Sequence, residues 1–467
     1  MNRRQVCHIA VGLVLSVTVV AASASIAATV TVDWDTAVGQ VKPVNGVGQP
    51  PLWGGPGGPK KYLLMHYLKE AGIPYSRLHD VGGWLGGGFY VDIPNLFPDF
   101  NADENLESNY DFEFTDALLK SLKENGVEPF YRLGVSIENF AGYGFRPRRI
   151  KPPSDYLKWA RVCEHVIRNY NEGWANGFKM NITHWEIWNE PEGYKTQWMA
   201  PFDEFIKFYG VTAGYLKSKF PHLKIGGYGA VGFYAAVDAQ IIPEAEAKSD
   251  RKYYFDCAMK FIKAAQKEKY PLDFFSFHSY SDPKEADRQV RYADWLLTEC
   301  GFTRDRTERI FDEWCTRPVL KSLGTATQAS GIAEMLLRLQ NGPCDAAMIY
   351  DARCSASTFS VLFNPLTLGR HKAYYSFMAF NELRKLGTAV KCSSDHGLVH
   401  CAAAKGPGGR AVMISNFNSG VKIPVTLKDS ERATVWITDE TRTWKKCEFP
   451  KVLPLCSVLL VKWDAEQ

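Results

Sequence analysis

The sequence predicts an α/β protein: a (β/α)8 TIM barrel carrying an accessory C-terminal β-sandwich that includes an N-terminal strand. Three observations lead there. From Val44 onward, short apolar runs alternate eight times with longer amphipathic ones, the pattern of parallel βα units. After Leu386 the helical period gives way to strict alternation broken by Gly, Asn and Asp, as in "GRAVMISNFNSGVKIPVTL" and "CSVLLVKW". Finally, 467 residues at 46% hydrophobic composition can bury a barrel-sized core and a smaller one. A doubly wound open sheet would compete, but no GxGxxG follows the first strand and opens a helix.

The elements follow in order. Residues 1–27 read as a secretory signal: Arg3 and Arg4 precede an apolar stretch from Ile9 to Ala22, and Ala22-Ser23-Ala24 or Ser25-Ile26-Ala27 offers small residues for cleavage. The stretch is shorter than the roughly 18 to 20 residues of a membrane span. A secreted or periplasmic location is therefore expected, with no membrane attachment after cleavage. Residues 28–43 hold a strand, Thr29–Trp34, with no helix after it, and it is assigned to the C-terminal sheet.

The barrel is assigned to residues 44–386. Its strands are expected near Val44–Gly48, Tyr75–His79, Pro129–Val135, Thr183–Trp188, Lys224–Gly229, Asp273–His278, Arg309–Phe311 and Ala346–Tyr350. The helices between them are expected near Lys60–Ala71, Glu113–Asn125, Ser154–Tyr170, Phe202–Phe220, Lys252–Lys269, Pro283–Glu299, Thr325–Gln340 and His371–Leu386. Residues 387–467 form the sandwich.

The formal charge of +4 is small for this length and the basic residues are scattered, which argues against nucleic acid as a partner. The glycine-rich "GGPGGP" and "GGWLGGG" lack the Gly-Lys-Ser/Thr of a phosphate loop. "DFNADEN" starts like a calcium loop, but Glu104 stands where glycine is needed and Tyr110 where the bidentate glutamate belongs. No CxxC, HExxH or Cys/His cluster occurs, so no metal and no cofactor is expected. Of eleven cysteines, Cys7 lies in the leader; Cys163 and Cys257 fall in helical patterns as free thiols, while Cys392, Cys401, Cys447 and Cys456 lie in the strand-rich tail where bridges are more plausible.

Barrel enzymes place their chemistry at the carboxyl ends of the strands. There the chain sets Asn189 and Glu190 after strand four, Glu313 and Trp314 after strand seven, His278 and Tyr280 on strand six, and Arg77 and His79 on strand two. Two glutamates at one end of a barrel can flank a glycosidic bond, one protonating the leaving oxygen while the other attacks the anomeric carbon. Period-2 geometry puts Ser276, His278 and Tyr280 on one face and Phe275 and Phe277 on the other, and it pairs Arg77 with His79. Buried polar groups need partners, so Glu313 is the expected partner of Arg77 or Tyr280. Pro191 should push Glu190 into extended backbone at the barrel rim. Strict alternation would send Asn189 and Glu190 to opposite faces, so a bend or bulge is expected there. Trp84 in the glycine-rich loop is either a sugar-stacking platform or a loop anchor.

With these residues in view, "WEIWNEP" followed by "FDEW" resembles the acid/base and nucleophile strands of barrel glycosidases. Together with "SRLHD", "SFHSY", the early strand and the terminal sandwich, the chain resembles glycoside hydrolase family 39, the β-xylosidase and α-L-iduronidase family, from Thr29 to the C-terminus. The resemblance implies Glu190 as general acid/base, Glu313 as nucleophile, Asn189 as donor to the sugar 2-hydroxyl, and Tyr280 with Arg77 as supports of the nucleophile. It implies retention of configuration, with Glu190 protonated beside an ionised Glu313, and no metal or cofactor in the cycle. The expected partner is an oligo- or polysaccharide losing a terminal pentose, with an endo-acting glycanase or a non-catalytic sugar binder as alternatives. Where xylosidases of the family commonly carry Asn after "WNEP", this chain has Glu192.

Overall fold

The computed structural model describes residues 27–52, 64–81, 90–136, 150–193, 196–234, 236–237, 240–241, 249–316, 322–355, 359–418 and 420–465. The leader and the Trp84 loop lie outside the described residues. Eight parallel strands close a barrel in chain order: Gly46–Gly48, Tyr75–Leu78, Glu128–Leu133, His184–Ile187, Lys224–Ala230, Phe274–Tyr280, Glu308–Cys315 and Ala346–Ile349. These are strands one to eight below. Ile349 pairs with Val47 and closes the ring.

The outer helices end where their sequences direct. Thr325, Asp155 and Asp282 cap their helices, each side chain accepting a backbone N–H of the first turn. Pro283 follows Asp282 at a position where its missing donor costs nothing. No helix among the described residues is long and apolar enough to cross a membrane.

The barrel interior is layered. Phe130, Phe274, Ile310, Ala346 and Met348 form an apolar plug toward the strands' N-terminal ends. Above it the inward positions turn polar, with Arg77, Glu186, Ser276 and Asp312 all buried. Apolar packing closes one end and leaves the chemistry at the other.

The early strand spans Ala28–Gln40 and pairs antiparallel with Thr388–Ser394 and parallel with Ile423–Leu427. It thereby joins a nine-stranded mixed sheet otherwise built from residues after Leu386. One face, including Val30, Val390, Val412, Ile414, Val425, Ile437, Leu459 and Val461, encloses a core of its own. Residues of the alternate register, Ala402, Ala404, Ala411, Met413 and Leu460, instead join the core cluster of the barrel. Burial on both faces explains why "CSVLLVKW" is almost continuously apolar.

Strand seven runs to Cys315, four residues beyond its expected end at Phe311. Its register against strand six shifts between Ile310 and Glu313, and against strand eight between Phe311 and Trp314. This bulge decides which residues of "FDEW" face the barrel axis.

Candidate active site

Strand four ends at Ile187 because the backbone leaves the β region: Trp188 has φ +73° and Glu190 φ +44°. Left-handed backbone at non-glycine residues costs about 1–3 kcal/mol each and persists only where the surroundings enforce it. Here Trp188 is clamped among Trp159, Trp198 and Phe208 and donates from Nε1 to the Gln197 carbonyl. The Glu190 N–H is held by the Gly229 carbonyl at 3.0 Å. The bend brings both Asn189 and Glu190 to the mouth. The expectation of extended backbone at Glu190 is thus corrected: the hydrogen bond to Gly229 overrides the preference imposed by Pro191.

The two glutamates meet around His278. Nδ1 of His278 lies 2.7 Å from Glu190 Oε1 and 3.9 Å from Glu313 Oε1. One donor atom from each of the three residues falls within 4.8 Å of the others. Glu313 is held on both oxygens, by the Tyr280 hydroxyl at 2.6 Å and by Arg77 Nη1 at 2.9 Å. Burial, and then the Glu313 charge, push the Tyr280 hydroxyl well above its ordinary pKa, so it remains a donor. Such a trio could in principle hold a cation. Both Glu313 oxygens are already satisfied, however, and the Arg77 guanidinium touching one of them repels a metal ion.

Arg77 organises the rest. Burial opposes its charge, but the carboxyl groups packed around the guanidinium outweigh that and raise its pKa. Nε donates to Glu186 at 2.8 Å, and Nη2 donates to Asn189 Oδ1 at 2.7 Å. Because arginine only donates, Asn189 must present its oxygen to Arg77, which leaves its NH2 group as the free donor. Ser276 donates to the other oxygen of Glu186 at 2.6 Å. His79 is buried beside Asp80, at 3.3 Å. Burial, then Arg132 and Arg77, hold its pKa well below the usual value and keep it neutral.

Among the residues singled out from sequence, Glu190, Glu313, Asn189, Arg77, His278 and Tyr280 converge as one hydrogen-bonded cluster, with His79 packed beside it. Trp314 does not join them. The bulge turns both Asp312 and Glu313 inward, so Phe311 and Trp314 both point outward and stack at 6.3 Å in the buried core. Trp314, one of the strand-end residues that the sequence sets beside Glu313 as a candidate for substrate binding, thus lies in the core, away from the cluster.

Three further residues belong to the cluster. Glu186 and Asp312 sit beneath the glutamates against Arg77. Gly229 has φ +64°, and a Cβ there would stand 2.9 Å from Arg77 Nη2, 3.1 Å from His278 Nε2 and 3.2 Å from Asn189 Oδ1. Only glycine fits both the conformation and the space.

This geometry can be set beside known proteins. The family model described as glycosyl hydrolases family 39 matches residues 22–350. The chain belongs to glycosyl hydrolase family 39.

Two relatives of this chain are described as β-xylosidases. One, from Geobacillus stearothermophilus, is 24% identical over 239 residues, covering 50% of this chain and 42% of that protein. The other, from Caldicellulosiruptor saccharolyticus, is 27% identical over 218 residues, covering 45% and 37%. The match thus spans less than half the length of either relative. Among solved structures, a glucosidase from Croceicoccus marinus superposes with a TM-score of 0.73 at 16% identity, covering 95% of this chain and all of that one. A monomeric β-xylosidase from Caulobacter crescentus gives 0.65 at 16% identity, covering 93% and 99%. At such identities these two structures speak for the shared fold.

Proposed function

We propose that this family 39 chain is a secreted, retaining exo-glycosidase that releases a terminal sugar from plant-type oligosaccharides, most simply a pentose such as xylose or arabinose. The observation that carries the reading is the placement of Glu190 and Glu313 oxygens within 4.8 Å of each other around His278. Retaining glycosidases hold their two carboxyl groups about 5–5.5 Å apart, whereas inverting ones leave room for a water.

In this reading Glu313 is the nucleophile. Its two oxygens accept from Tyr280 and Arg77, an arrangement that aims the carboxyl group. Glu190 protonates the leaving oxygen, and His278 at 2.7 Å holds its carboxyl in place. The free NH2 of Asn189 is available to the sugar 2-hydroxyl, where hydrogen bonds strengthen in the transition state. Once Glu313 carries the sugar, Glu190 takes the proton from the attacking water. The pentose assignment leans on the β-xylosidase relatives, and secretion leans on the apolar stretch behind Arg3 and Arg4.

The test is hydrolysis of nitrophenyl β-D-xyloside, α-L-arabinosides, β-D-glucoside and α-L-iduronide by the mature chain, by Glu313→Ala and by Glu190→Ala with azide. Turnover of one glycoside that vanishes in Glu313→Ala, with Glu190→Ala yielding a glycosyl azide of retained configuration, is the expected result. Unimpaired hydrolysis by Glu313→Ala overturns the nucleophile assignment. Oligosaccharide ladders from longer chains would point to an endo-acting glycanase, and sugar affinity without any bond cleavage to a binding protein.

A further inference from the structure

Beneath the two catalytic glutamates lie two more carboxyl groups, Glu186 on strand four and Asp312 on strand seven, 0% and 1% exposed. Both approach one atom, Arg77 Nε, at 2.8 Å and 2.7 Å. A guanidinium Nε carries a single hydrogen, and the geometry directs it to Glu186 Oε2. The two Nη groups are directed upward to Glu313 and Asn189. Neither oxygen of Asp312 receives a hydrogen bond from any donor among the described residues. The other nearby nitrogen, His278 Nε2, stands 3.6 Å away, too far for one.

A buried carboxylate that accepts no hydrogen bond is costly even beside a cation, and the usual escape is to carry a proton. We propose that Asp312 is a positioning residue that stays protonated in the folded protein and donates its proton to Glu186, leaving Arg77 to balance Glu186 and orient Glu313.

The charges facing Asp312 fit this state. They are Arg77 from strand two, Glu186 from strand four, His278 from strand six, and Glu313 on its own strand. Three ionised carboxylates around one guanidinium would leave two uncompensated charges among buried side chains. With the proton on Asp312 only one remains, and it is the nucleophile. Burial first, then Glu186 and Glu313, raise the Asp312 pKa well above normal despite Arg77. Glu186 is lowered instead, since Arg77, the Asp312 hydrogen bond and Ser276 together outweigh its burial. The proton is thus shared unequally, with Glu186 as the anion.

For the reaction, the neutral acid keeps a second negative charge from sitting next to Glu313 in sequence and in space. It also ties down Glu186, on which the Arg77 fork pivots. This catalytic consequence rests on the proposed glycosidase reading; the protonation state itself does not.

The experiment is therefore one of stability as well as rate. Melting temperatures of the wild type and of Asp312→Asn are compared from about pH 4 to about pH 8. An unfolded aspartate releases its proton near its ordinary pKa of 3.8, whereas the folded Asp312 retains it, so the wild type loses stability relative to Asn as pH rises through this range. The gap, Asn variant minus wild type, should widen upward by about 3 °C or more. Asp312→Ser, lacking the hydrogen-bonding amide, should run at a constant offset with the same slope. In rate, the acid limb of kcat/KM for Asp312→Asn should keep the wild-type midpoint, whatever its amplitude. A gap that narrows or reverses with rising pH means that Asp312 is ionised and overturns the proposal, as does an Asn variant that folds at no pH. If neither form hydrolyses any glycoside, the functional reading fails while the slope still decides the proton.

Discussion

The Tyr280 hydroxyl donates to Glu313 Oε1 at 2.6 Å, reaching from strand six to strand seven. It meets the oxygen that faces His278, opposite the one held by Arg77. The Glu313 carboxyl is thereby fixed in direction by two donors, one on each oxygen.

Tyr280→Phe removes one hydrogen bond to a charged oxygen and little volume. Such a bond contributes about 1.5–3 kcal/mol, so kcat should fall roughly 10- to 100-fold, at about 1.4 kcal/mol per decade. The melting temperature should change little. Steady-state kinetics on the active aryl glycoside check it, and an unchanged kcat would remove Tyr280 from the nucleophile's support.

Arg77→Lys keeps the charge and loses the fork. A lysine ammonium cannot meet Glu186, Glu313 and Asn189 in three directions at once, so buried carboxylates are left short of donors. Breaking a buried pair in this way costs about 3–5 kcal/mol. Denaturant melts should show that loss together with a loss of turnover, and a lysine variant as stable as the wild type would contradict the role of Arg77 as hub.

Much of this site was legible before the structure: period-2 arithmetic put Ser276, His278 and Tyr280 on one face and Arg77 with His79 on another, and the need of buried polar groups for partners named Glu313 as the partner of Arg77 or Tyr280. What escaped was whatever depends on broken periodicity. Asp312 and Glu313 both face inward only because strand seven bulges, and the same bulge sends Trp314 to the outside. No residue type in "FDEW" signals that. Gly229 hid for another reason: its role is the absence of a Cβ where three side chains from other strands converge, a long-range fact with no local sequence mark. Glu190 shows the limit of local rules, since the strong pre-proline bias yields to one hydrogen bond from strand five. The eight strands and the returning N-terminal strand were readable because hydrophobic alternation is a local signal repeated many times.

Glu192 gives a pH prediction. Its Oε1 accepts from Tyr228 at 2.7 Å, while Oε2 is buried without a partner among the described residues. Burial raises its pKa from 4.5 to about 8, even with Tyr228 acting against the shift. The folded state therefore holds a proton that the unfolded chain gives up above 4.5, and stability contributed below that pH is lost progressively up to about 8. Glu192→Gln mimics the protonated acid and should gain in melting temperature over the wild type across that window, with no further gain beyond it. A difference independent of pH would show that Glu192 is ionised in the fold.

The last prediction concerns the sandwich. Cys392 and Cys401 lie on neighbouring antiparallel strands with their sulfurs 3.3 Å apart. The register that sets Val390 against Ala403 continues to place these two opposite one another. Two thiols so aligned need only a small approach to bond, and in an oxidising compartment they should do so. The remaining described cysteines have no such neighbour and should stay reduced. Closing this short loop should add about 2–3 kcal/mol of stability. Intact mass and thiol counting on protein recovered from a bacterial periplasm should find one bridge, lost in Cys392→Ala. Protein made in a reducing cytoplasm should carry free thiols and melt lower. Only free thiols in the periplasmic protein would overturn the bridge.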